Sequence, residues 1–125
     1  MDIAERRVAD VVVVTPTGPI DHPRAPELER ALGPIVSGTT DTAAVVLDFA
    51  GVGYVSSMGL RVLMVTAREL RARKARIAVA ALQPIVVEIF DIARFGHVLE
   101  VFPTVREALA TMSPAALAAW DGNAR

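Results

Sequence analysis

Hydrophobic positions along the 125-residue chain change their period from segment to segment, and each change marks an element. "IAERRV" and "VVVVTP" read as two strands split by Ala9-Asp10, the pattern of a tight hairpin. "TGPIDHPRAP" holds Gly18, Pro19, Pro23 and Pro26 and reads as a loop. From Glu27 to about Val36, Leu28, Ala31, Leu32 and Ile35 recur at helical spacing, and "SGTTD" breaks that helix. "AAVVLDF", Ala43 to Phe49, is apolar at nearly every position, as in a strand buried on both faces. A helix pattern follows from Ser57 to about Arg73, and "ARIAVAAL" is a further buried strand. "QPIVVEIFDIARFG" predicts a helix with Pro84 in its first turn and Gly96 just past its end. "VLEVFP" gives a short last strand. "TVREALATM" gives a helix opened by Thr104, with Glu107 three residues on.

The resulting order, ββαβαβαβα, implies an α/β domain: a mixed, mostly parallel sheet covered by about four helices. Residues 1–112 form this domain. Residues 113–125 form a tail, either an extension of the last helix or disordered.

The helix beginning at Ser57 is apolar on two sides. At about 100° per residue, Leu60, Leu63, Met64, Ala67 and Leu70 form one stripe, expected on the sheet. Met58, Val62 and Val65 fall nearly opposite, where charge is usual. A helix sandwiched within the fold would explain this, but a small domain has little material to cover it. A docking surface for another protein explains it better.

Composition narrows the function. Apolar residues make up 53% of the chain, yet no apolar run reaches the roughly 18 residues of a membrane span. The N-terminal segment lacks the pattern of a secretory signal, so a soluble, cytoplasmic protein without membrane insertion is expected. With no cysteine and two histidines, His22 and His97, neither a metal site nor a bound cofactor is expected. Thirteen basic and 14 acidic side chains leave a net charge of −1, which argues against a nucleic-acid partner. The basic run "RELRARKAR" suits the C-terminal end of a helix dipole and is assigned to structure.

The seam "YVSSMGL", Tyr54 to Leu60, carries the candidate chemistry. Ser56 or Ser57 could cap the helix, which is worth about 1 kcal/mol. Capping accounts for one serine but not for Gly59, whose bare backbone permits a close approach. A catalytic serine is the second reading, with His22 or His97 and Asp21, Asp48 or Asp91 completing a triad. A nucleophile elbow needs a glycine two residues on either side of its serine, and neither serine has both: Tyr54 and Met58 stand there for Ser56, and Val55 and Gly59 for Ser57. Phosphorylation is the third. It would bring about −1.5 to −2 charges to a helix N-terminus, where the fold tolerates them. Beside an apolar docking stripe the same charge would oppose a partner.

These pieces, from about Ile3 to Met112, resemble the STAS domains, and in particular the free-standing anti-sigma factor antagonists. "TGPID", "VVLDFAGVGYVSS", "GLRVL", "LQPIVVEIFDIARFG" and "VFPTVREAL" carry the resemblance in their order and spacing. It implies a binding protein and no enzyme. Its partners would be an anti-sigma factor that is also a serine-protein kinase, and a serine phosphatase that resets the cycle. The family pattern Asp-Ser-Ser-Gly-Leu falls on Ser56, Ser57, Met58, Gly59 and Leu60. Ser57 thereby stands at the phosphorylated position, and Asp21 matches an acidic residue beside it. Ser56 replaces the usual aspartate and becomes a competing acceptor, while Met58 replaces the second serine. The expected partner surface is Asp21, Ser56, Ser57, Met58, Gly59, Arg61, Val62 and Val65. The alternative is an unregulated STAS subunit of a lipid-transport or other signalling complex.

Overall fold

The computed structural model describes residues 1–38 and 42–123. Strand β1 (Asp2–Val8) turns back on β2 (Val11–Thr17) in antiparallel register, with Val8 opposite Val11. Ala9 makes this tight turn by adopting a left-handed backbone, φ 55°. Then come α1 (Ala25–Ser37), β3 (Ala44–Asp48), α2 (Ser57–Ala72), β4 (Arg76–Ala80), α3 (Pro84–Ile92) and β5 (Glu100–Phe102). Helices α4 (Val105–Met112) and α5 (Pro114–Asn123) end the chain.

The five strands lie in the order β1-β2-β3-β4-β5, and β2 to β5 are all parallel. Each parallel strand sits beside its predecessor in the chain. Right-handed crossovers taken repeatedly in one direction put their helices on one face. Leu28 and Leu32 of α1, Leu63, Ala67 and Leu70 of α2, and Val86 and Phe90 of α3 accordingly share one core with Val12, Val14, Val45, Leu47, Ile77 and Val79. The alternate strand residues Val11, Val13, Ala44, Val46 and Ala80 face the other way. There Val105, Ala108 and Leu109 of α4 and Ala116 of α5 cover them. The alternation of a strand buried on both sides explains why "AAVVLDF" contains no polar position before Asp48.

Several boundaries differ from the sequence pattern. Helix α1 starts at Ala25, because Pro26 fits a first turn that needs no amide there. Of the expected breaker "SGTTD", Ser37 is the last helical residue and Gly38 its cap, while residues 39–41 lie outside the described residues. Helix α3 stops at Ile92 and not at Gly96. Arg94 takes the left-handed conformation, φ 57°, and Gly96 lies within a 3-10 turn, Phe95–His97. That turn brings the buried Phe95 against Phe90.

The described part of the tail is helical. Thr104 caps α4 by accepting from the Glu107 amide. Ser113 then breaks the chain direction, and its hydroxyl accepts from Ala116 N while bonding Asp10. Trp120 of α5 packs under the Arg6 guanidinium, and Arg106 pairs with Asp121, which holds that guanidinium's pKa above its usual value. In the basic run after α2, Arg71 donates to Val98 O, and Arg76 pairs with Glu100, whose hydrogen bonds raise the arginine pKa. No helix among the described residues is long and apolar enough to cross a membrane.

Candidate partner-binding site

Two loops meet at the C-terminal ends of β2 and β3. Past β2, Gly18 N donates to Gly51 O, and Ile20 bridges Val55 in parallel fashion. Ile20 N donates to Tyr54 O and Ser56 N donates to Ile20 O, each at 2.8 Å. This short ladder sets Asp21 beside the seam that opens α2. Asp21 is itself engaged: its carboxylate accepts from Arg24 N at 3.1 Å and pairs with the Arg24 guanidinium. It thereby shapes the turn leading into α1 as well as edging the site.

The connection from β3 to α2 is tied down along its length. Asp48 Oδ1 accepts from Ala50 N, Val52 N donates to Phe49 O, and Gln83 Nε2 donates to Ala50 O at 2.9 Å. Gln83 has no motif around it that would mark this role in the sequence. Its reach across 33 residues exists only once β4 is paired beside β3.

The two serines divide the tasks. Ser56, 8% exposed, is the N-cap; its Oγ accepts from Gly59 N at 3.1 Å, and its carbonyl accepts from Leu60 N. Its burial and its bond correct the expectation that Ser56 competes as a modification acceptor or belongs to an open surface. Ser57, the first helical residue, is exposed, and its hydroxyl has no hydrogen-bond partner among the described residues.

Gly59 is also buried. A Cβ there would lie 2.8 Å from Ile20 Cγ2 and 2.9 Å from Val55 Cγ1. The close approach it permits is therefore made by this chain's own Ile20 and Val55, a correction to its place on the docking surface.

Helix α2 is rotated relative to the expected stripe. Val62, only 6% exposed, belongs to the core and is withdrawn from the docking surface, and Thr66 beside it is buried with its hydroxyl on Val62 O. Packing against α1 as well as the sheet draws this side of the helix inward. Met58 and Val65 remain on the outside, 39% and 37% exposed, with Arg61 between them in sequence and also exposed. Leu60 and Met64, expected beneath the helix, are half-buried. With Ser57, Met58, Arg61 and Phe95 they line a shallow groove of about 370 Å³. Phe95 joins through the 3-10 turn after α3, a placement that no local pattern announces.

No nucleophile–base–carboxylate set is assembled among the described residues. His22 lies exposed between β2 and α1, and His97 lies with Arg71 and Glu100 around a separate cavity. Asp48 is occupied by the Ala50 amide. No cluster of metal-binding side chains occurs among the described residues.

The family model for the STAS domain matches residues 2–108, most of the chain. The chain belongs to the STAS domain family. The matched stretch ends within α4, so α5 of this STAS domain lies beyond it. BtrV of Bordetella bronchiseptica, provisionally described as an anti-sigma factor antagonist, is 31% identical over 119 residues, covering 94% of this chain and 98% of BtrV. The crystal structure of an anti-sigma factor antagonist from Mycobacterium paratuberculosis has a TM-score of 0.81 and 27% identity, over 89% of this chain and 92% of that one. The phosphorylated form of the Bacillus cell fate determinant SpoIIAA superposes with a TM-score of 0.67 at 18% identity, covering 88% and 98% of the two chains. At that identity the likeness concerns the fold alone.

Proposed function

We propose that this STAS domain is an anti-sigma factor antagonist whose partner binds across the start of α2 and is released when Ser57 is phosphorylated. The observation that carries the reading is the division of labour at the seam. Ser56 holds the helix end, so the neighbouring Ser57 hydroxyl is exposed and unbonded beside an apolar groove. The similarity to BtrV and to the mycobacterial antagonist supports the same function.

The partner in this reading is an anti-sigma factor that is also a serine-protein kinase. It docks on Met58, Arg61 and Val65, with Asp21 at the edge. Ser57 Oγ then bonds to the γ-phosphorus of the kinase's ATP, the bond from that phosphorus to ADP breaks, and the hydroxyl proton passes to a base on the kinase. A phosphatase uses water to cleave the phosphoester and restore the hydroxyl.

Leaving an unmatched charge in a desolvated interface costs about 2–5 kcal/mol, roughly one to four decades in affinity. Ser57→Asp is therefore expected to weaken binding to the cognate kinase by at least about tenfold, without shifting the thermal melt. Ser57→Ala binds like the parent and takes up no phosphate. Titration calorimetry with both variants is the test; parental affinity for Ser57→Asp overturns the switch.

A further inference from the structure

Arg61 lies one helical turn after Ser57, lines the same groove, and is the one charged side chain among the lining residues. It is exposed and has no ion-pair partner among the described residues. Side chains four apart on a helix are neighbours, with Cβ atoms about 5–6 Å apart, and an anion preceding a cation is the favourable order. A guanidinium also matches phosphate oxygens with two parallel hydrogen bonds. Of the first-turn amides, Ser56 already occupies those of Gly59 and Leu60, so the backbone is left with those of Ser57 and Met58 to share such a phosphate with a side chain. Arg24, the cation on the facing loop, is committed to Asp21.

We infer that a phosphate on Ser57 is clamped by the Arg61 guanidinium. The clamp deepens the proposed switch and rests on it. In the unmodified chain Arg61 offers its charge to a partner from the wall of the groove. In the modified chain the same side chain folds back along α2 toward Ser57. Phosphorylation then withdraws a cation from the recognition face as well as adding an anion to it, and no backbone movement is needed.

The test uses the full chain with phosphoserine installed at position 57 during translation, which makes the outcome independent of any kinase. Phosphorus NMR titration of the parent and of Arg61→Gln compares the second ionisation of the phosphate. The clamp places it lower in the parent by about 0.15–0.4 pH unit, the shift that an i,i+4 pair of this kind produces. Arg61→Gln also lowers the melting temperature of the phosphoprotein more than that of the unmodified protein. Equal titration points in the two phosphoproteins overturn the clamp. So does a shift that follows Arg94→Gln instead, since Arg94 precedes the groove residue Phe95. Intact-mass analysis of the protein from its own cells addresses the underlying reading separately. Phosphate on Ser57 together with equal titration points removes the clamp alone. Absence of phosphate with the kinase active removes the switch and the clamp's regulatory role together.

Discussion

At the residue scale, adjacent identical side chains have opposite fates. Ser56, the N-cap, has an extended backbone (ψ 170°) that brings its hydroxyl onto the Gly59 amide, whereas Ser57, the first helical residue, leaves its hydroxyl in solvent. Ser56→Ala is expected to lower unfolding stability by about 1 kcal/mol in urea titrations, the usual effect of losing an N-cap. Ser57→Ala stays within about 0.5 kcal/mol of the parent, as an exposed substitution does. Gly59→Ala is the harsher change, because the new methyl meets Ile20 and Val55 inside normal contact distance. Overpacking of this kind costs about 1–3 kcal/mol and shows in the same titration. The serine pair, the glycine and Asp21 could all be singled out in the sequence. Which serine caps, and whose atoms press on the glycine, could not, since both depend on the ladder between the two loops.

At the scale of the element, α2 shows how far periodicity reaches. Its existence, its start at Ser57 and its two-sided apolar character were legible, because helical spacing is a local property. Its rotation was not. The sheet alone would draw Leu60 and Met64 underneath; α1 competes and draws Val62 and Thr66 inward instead. Val62 and Val65 thus have contrasting roles although both were read as outward. Val62→Asp buries a carboxylate without a partner and is expected to destabilise the fold by about 3 kcal/mol or more, or to prevent folding. Val65→Asp is expected to leave the thermal melt nearly unchanged and to weaken binding of the proposed partner. Circular dichroism melts paired with calorimetry separate the two, and a strongly destabilised Val65→Asp would place that side chain in the interior. The end of α3 was misread for a related reason. Gly96 is the better terminator by propensity, yet Arg94 accepts the left-handed conformation and Phe95 packs on Phe90.

At the scale of the molecule, the two faces of the sheet carry different duties. The face bearing α1, α2 and α3 supports the site, while α4 and α5 close the opposite face. Removing α5 by truncation after Met112 exposes the second core around Ala116, at an expected loss of about 2–4 kcal/mol. Affinity for the proposed partner is expected to persist under conditions where the truncated chain is folded, because α2 lies across the sheet. Trp120, the sole tryptophan, reports the docking of α5 by fluorescence. Arg6→Ala should weaken that docking by about 0.5–1 kcal/mol. The sequence by itself determined the strand and helix order, the doubly buried strands, the seam and its exposed Ser57, because these follow from residue type and spacing over a few neighbours. Tertiary structure alone decided the rotation of α2, the burial of Val62 and the groove to which Phe95 contributes. Those outcomes depend on which distant segments compete for the same apolar surface, and that competition is settled only when the sheet has formed.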